Sequence, residues 1–117
     1  MAEAVKEAKE EGRAIAVYFY TDWCGYCRQL ERDLLDRARV ENYMRYMTKV
    51  RINPEQGQFE RMIADRYGVS GYPSLFVHTE FGATPTKVTG MKRVHGDWKL
   101  KTPDEFIETI RRAAESG

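Results

Sequence analysis

Ile15-Ala16-Val17-Tyr18-Phe19-Tyr20-Thr21-Asp22-Trp23-Cys24-Gly25-Tyr26-Cys27 is the stretch that decides the fold. Its first six residues form an unbroken apolar run rich in β-branched and aromatic side chains, the pattern of a central strand covered on both faces. The strand delivers the chain to a short turn. Beyond it Cys27, Leu30, Leu34, Leu35 and Ala38 recur at helical spacing, so a helix begins at the cysteines.

Working outward, Ala2 to Glu11 are helix formers closed by Gly12. Val40, Tyr43, Met44 and Met47 predict a second short helix, and Lys49-Val50-Arg51-Ile52 alternates as a strand that Asn53-Pro54 stops. From Glu55, Phe59, Met62, Ile63 and Tyr67 return to helical spacing, with Gly68 as C-terminal cap. Ser70-Gly71-Tyr72-Pro73 leads into the apolar strand Ser74-Leu75-Phe76-Val77-His78. The residues around Phe81-Gly82-Ala83-Thr84-Pro85 are too few for a crossover helix, so Thr86 to Met91 should pair antiparallel with that strand. Lys92 to Lys101 carry turn signals at Gly96-Asp97 but no clear period, and no element is assigned there. Thr102-Pro103-Asp104-Glu105 reads as an N-cap, a first-turn proline and a capping glutamate ahead of Phe106, Ile107, Ile110 and Ala114. The fold class is therefore α/β: a mixed central sheet of about four strands with helices on both faces. The helix-linked strands are expected to be parallel and the last pair antiparallel.

The chain has 117 residues, of which 42% are hydrophobic, which suits one domain spanning 1–117 and excludes a disordered chain. Nineteen basic against eighteen acidic residues leave a formal charge of +1, so no strong field points at nucleic acid or an anionic membrane. The apolar run Ile15 to Tyr20 is far below the roughly 20 residues a membrane helix needs, so no membrane span is expected. The first residues lack the features of a secretory leader, although a leader removed from a longer product would leave the same beginning.

Cys24 and Cys27 are the only cysteines. Closing so short a loop removes little unfolded-state entropy, so the pair is a poor staple and points to chemistry. A cysteine at a helix mouth meets unpaired N–H groups and the positive end of the helix dipole, which favour its thiolate. Lowering a thiol pKa from about 8.5 to about 7 corresponds to roughly 2 kcal/mol of differential stabilisation. Cys24 is thus the expected nucleophile. A three-residue helical offset brings the two Cα atoms to roughly 5–6 Å, within the window of an unstrained disulfide, which makes Cys27 the resolving thiol. Exchange of this kind needs Cys24 exposed and Cys27 shielded. Two other readings stay open: an inert pair that only packs, and half of a zinc site. For zinc the candidate partners are His78 and His95, read as partly exposed surface residues and not at ligand spacing, so no metal is expected.

Val17 to Cys27 resembles the active-site strand and turn of the thioredoxin superfamily, and Gly68-Val69-Ser70-Gly71-Tyr72-Pro73-Ser74-Leu75-Phe76 resembles that family's second signature. The two lie in the family's order, and the resemblance covers essentially the whole chain. It implies a thiol-disulfide oxidoreductase with no cofactor beyond the redox-active disulfide Cys24–Cys27. It also implies a cis Pro73 facing Cys24, Tyr72 helping to select partners in a peptide groove, and Trp23 flanking the nucleophile, where it could equally be a packing anchor beneath the loop.

Two departures matter. The best-known thioredoxins place a buried aspartate six residues before the first cysteine, where this chain has Tyr18. Glu31, four residues after Cys27 on the same helical face, is the candidate proton acceptor in its place, or else a solvated partner of Arg28 or Arg32. Lys49 matches a family lysine that neighbours the buried acid. The pattern Trp-Cys-x-x-Cys with that glutamate is similar to the C-terminal domains of bacterial transmembrane thiol-disulfide interchange proteins and to related secreted thioredoxin-like proteins. The Gly25-Tyr26 dipeptide between the cysteines is similar to that of periplasmic disulfide isomerases. The expectation is a monomeric reductase of protein disulfides in a periplasmic or otherwise extracytoplasmic bacterial setting, recharged by an unidentified redox partner. An oxidase or isomerase using the same residues, or a redox-silent peptide-binding module, are the alternatives.

Overall fold

In the computed structural model, which describes residues 11–115, β1 (Ile15–Phe19) and β2 (Thr48–Ile52) pair in parallel, with Phe19 beside Ile52. β3 (Ser74–His78) flanks β1 on the other side, and β4 (Thr86–Val88) pairs antiparallel with β3, giving the order β2-β1-β3-β4. The expected helix over Ala2–Glu11 lies, apart from Glu11, outside the described residues.

β3 corrects one expectation, because it runs antiparallel to β1, with Ser74 opposite Phe19. The sequence reading treated the helix between β2 and β3 as the whole return path. That helix spans ten residues, about 15 Å. The six residues 68–73 that follow reach roughly 20 Å when extended, enough to retrace its length. The end of β1, the end of β2 and the start of β3 therefore meet at one edge of the sheet.

The helices are α1 (Gly25–Leu30), continued by a π-helical turn over Glu31–Leu35; α2 (Ala38–Tyr43), continued by a 3-10 turn over Met44–Tyr46; α3 (Gln58–Tyr67); and α4 (Pro103–Glu115). Strand alternation divides β1 between two apolar layers. Ala16 and Tyr18 pack with Leu30, Leu34, Val40, Phe106 and Ile110, whereas Ile15, Val17 and Phe19 pack with Ile63, Ala64 and Phe76. So α1, α2 and α4 cover one face and α3 the other, as the continuous apolar run of β1 requires. The helix after the cysteines does not run through Ala38 as its spacing suggested: Arg37, in extended conformation, separates it from α2. On α3, Phe59 and Met62 face solvent rather than the core, which is made by Ile63 and Ala64. Gly68 does close α3, in the left-handed conformation with φ +70°.

The expected strand Thr86–Met91 stops at Val88. Met91 instead begins a second hairpin, β5 (Met91–Val94) and β6 (Asp97–Leu100), which forms a separate two-stranded sheet in the stretch left unassigned. Its turn places His95 and Gly96 at φ 52° and 86°, the positive pair a tight hairpin needs. Histidine is a rare first residue for such a turn, and this hid the hairpin. At the head of α4, Thr102 and Glu105 exchange hydrogen bonds of 2.9 and 3.2 Å as a capping box.

Candidate active site

Cys24 is the N-cap of α1: its backbone is extended, and its Sγ accepts the Cys27 amide at 3.1 Å. The strand-to-helix turn thus puts sulfur where a helix leaves its first N–H groups unpaired. Cys24 and Cys27 are joined as a disulfide with their Cα atoms 5.2 Å apart. Cys27 is 1% exposed, and Cys24 is 4% exposed. The expectation of an exposed Cys24 is therefore corrected. In the oxidised pair its sulfur turns inward onto the Cys27 amide, and only a thin edge of the residue meets solvent.

The antiparallel placement of β3 assembles the surroundings. Residues following β1, β2 and preceding β3 arrive at the same sheet edge, and there Trp23 lies edge-on to Tyr72 at 6.1 Å between ring centroids. The Trp23 indole N–H donates to both carboxylate oxygens of Glu55, at 2.9 and 3.1 Å. Glu55 is itself fixed by Asn53, whose Oδ1 accepts the Glu55 amide at 3.0 Å. Trp23 is 67% exposed, so it stands over the surface rather than anchoring the loop from beneath. The Tyr72–Pro73 peptide bond is cis. Tyr26, between the cysteines, is also largely exposed and lines a cleft with Tyr72 and Pro73, while Gly25 sits in open space.

On the inner side of the pair, the Tyr18 hydroxyl donates to Glu31 Oε2 at 2.8 Å and lies 3.4 Å from the Cys27 carbonyl oxygen. Burial, then the Glu31 hydrogen bond, pushes the Tyr18 phenol well above its ordinary pKa, so it stays a donor. Register sets Arg51 beside Tyr18, and its guanidinium reaches Glu31 Oε1 at 3.6 Å. Glu31 pairs with neither Arg28 nor Arg32: Arg28 donates to the carbonyls of Asp22 and Cys24, and Arg32 pairs with Asp33. Lys49, two residues before Arg51 and beside Ala16, lines the same cavity of about 210 Å³ as Tyr18, Glu31 and Arg51.

Tyr18, Arg51 and Glu55 were not singled out as site residues by sequence reasoning. The alternation of β2 carries the signal for Arg51, and Asn53-Pro54-Glu55, a side-chain-capped turn, carries that for Glu55. No cluster of three or more potential metal ligands occurs among the described residues. His78 is half-buried, in line with its reading as a partly exposed residue, and both ring nitrogens are engaged: Nε2 lies 2.7 Å from the Tyr67 hydroxyl, and Nδ1 donates to the Ala83 carbonyl at 2.7 Å. No helix among the described residues is long and apolar enough to cross a membrane.

Comparison with known proteins agrees with this fold. A search of solved structures finds an oxidoreductase titled DsbH, with TM-score 0.79 and 17% identity over 97% of this chain and 81% of that one. It also finds the oxidised C-terminal domain of DsbD from Neisseria meningitidis, with TM-score 0.72 and 20% identity over 96% of this chain and 90% of that one. By sequence, the chain is 27% identical to the thiol:disulfide interchange protein DsbD of Ralstonia nicotianae over 95% of its own length. It is 30% identical to the mouse protein disulfide-isomerase A6 over 79% of its length. It spans 17% and 20% of those two relatives, about a fifth of each. The model of the thioredoxin-like domain matches residues 1–95. With that match over most of its length, the chain belongs to the thioredoxin-like domain family.

Proposed function

We propose that this protein is a thiol-disulfide oxidoreductase that works as a reductase of protein disulfides, with residues 1–117 acting as one monomeric domain in an extracytoplasmic bacterial setting. The observation that carries the reading is the Cys24–Cys27 disulfide at the head of α1, flanked by Trp23, whose ring meets Tyr72, and by Tyr26, which lines a cleft with Tyr72 and Pro73. The names of the relatives, thiol:disulfide interchange protein and protein disulfide-isomerase, support the same class of chemistry.

In the reduced protein, the Cys24 thiolate attacks one sulfur of a substrate disulfide. A mixed disulfide forms, and the displaced substrate thiolate takes up a proton. Cys27 then gives its proton to Glu31 and attacks Cys24 Sγ, which breaks the mixed disulfide and releases the second substrate thiolate. Two electrons pass from the dithiol to the substrate, and a separate redox partner restores the dithiol. Trp23, held by Glu55, and the Gly25-Tyr26 pair shape the approach to sulfur. Tyr72 and Pro73 form the peptide groove, Tyr18 and Arg51 position Glu31, and Lys49 adds positive charge to the same cavity. No cofactor or metal takes part.

Equilibration with a glutathione series tests the direction of electron flow. A potential near the thioredoxin value of about −270 mV, with turnover of insulin disulfides, fits a reductase; a value near about −120 mV makes the protein an oxidant. The small exposure of Cys24 favours one second reading, a redox-silent domain that binds extended peptides. Failure to reduce insulin by the fully reduced protein would select it.

A further inference from the structure

A cleft of about 520 Å³ runs from Tyr26 and Tyr72 to the β5–β6 hairpin, where Trp98 and Leu100 form its far wall. Three features define its occupant. The walls are aromatic and aliphatic, and Trp98, 63% exposed, presents its ring to the opening. β4 ends its sheet, so no strand among the described residues covers its outer edge, and Lys87, Val88 and Thr89 line the cleft floor. An unpaired edge beside apolar pockets suits an extended backbone. The third feature is charge. No carboxylate lines the cleft among the described residues; Lys87 borders it, but its pairing with Phe76 turns its side chain to the α3 face of the sheet, so the cation available to the cleft comes from the hairpin. Strand alternation puts Arg93 on the same hairpin face as Met91, and its guanidinium lies 5.5 Å from the Trp98 ring centre. Lys92 and Lys99 belong to the opposite face, where Lys92 pairs with Glu105 of α4.

We propose that this cleft selects substrates by the segment flanking their reactive cysteine: an extended stretch whose large apolar side chain seats against Trp98, followed by a carboxylate that meets Arg93. The proposal rests on the oxidoreductase reading and names the substrate class it acts on. The β5–β6 hairpin carries this selectivity, since it holds both Trp98 and Arg93.

The test uses fluorescent ten-residue peptides in which serine replaces the reactive cysteine, so that binding is read without exchange. One carries Phe followed by two Glu, and a second carries Phe followed by two Lys. At 0.15 M salt the acidic peptide should bind at least tenfold tighter than the basic one. Trp98→Ala should weaken it at least tenfold, and Arg93→Glu should reverse the preference. Lys99→Glu, an identical charge change on the opposite face, should alter affinity less than twofold. Equal binding of both peptides, or an Arg93→Glu protein of native circular dichroism that keeps the acidic preference, overturns the proposal. Reduction of a small aromatic disulfide by the wild-type protein, which needs no cleft, reads the Cys24–Cys27 chemistry separately. Peptide selectivity without that reduction overturns the oxidoreductase reading while leaving the cleft a binding site.

Discussion

Tyr18 occupies the position where thioredoxins carry a buried acid, and its hydroxyl links the Cys27 carbonyl to Glu31. The two residues have separable roles. Glu31→Gln removes the proposed proton acceptor and should slow the resolving step by roughly 10²-fold, so that the mixed disulfide on Cys24 accumulates in quenched-flow samples. Tyr18→Phe leaves the carboxylate but removes its donor; it should cost about 1 kcal/mol of stability and slow resolution less than Glu31→Gln does. Equal rates of resolution in wild type and Glu31→Gln would remove Glu31 from the mechanism. The cysteine pair and Tyr72-Pro73 were legible in the sequence because adjacent residues carry them. Arg51 and Glu55 were not, because their partners, Glu31 and Trp23, lie 20 and 32 positions away and only strand register brings them together.

Among the elements, the hairpin β5–β6 was the least legible, since it turns through His95-Gly96, yet two contacts tie it and its approach to the core. A Cβ at Gly90 would come within 2.6 Å of Leu30 and 2.8 Å of Leu34, both buried on the α1 side of the sheet. Gly90→Ala should therefore destabilise the fold by about 1–3 kcal/mol, read from denaturant unfolding, with the strand edge at β4 loosening first. Lys92 bridges β5 to Glu105 of the capping box. The Lys92 ammonium, and then the Thr102 amide, hold the Glu105 carboxyl down at about 2. A carboxyl depressed in the folded state stabilises above its unfolded pKa of about 4.3 and ceases to do so as pH falls towards 2. The Tm should accordingly fall across that window, and Glu105→Gln should flatten the slope. An unchanged slope would mean that Glu105 contributes nothing to acid stability. The capping box itself was readable from Thr102-Pro103-Asp104-Glu105, because helix starts are encoded within one turn.

Across the whole molecule, the two-faced burial of β1 followed from one apolar run, whereas the direction of β3 did not follow from loop length. That direction sets the site: were β3 parallel to β1, Ser74 would begin at the far end of the sheet, and Tyr72 would lie away from Trp23. Sheet topology thus joins two sequence signatures about fifty residues apart into one surface around a disulfide. That surface matters chemically only if reduction of the pair gives Cys24 a reactive thiolate despite its small exposed edge. The most direct measurement is timed alkylation of the reduced protein by limiting iodoacetamide at pH 7, with the label located by peptide mass spectrometry. The account predicts that Cys24 is modified first and several-fold faster than free cysteine, while Cys27 stays unmodified. Labelling of Cys24 no faster than the free amino acid, or of Cys27 ahead of it, would contradict the account.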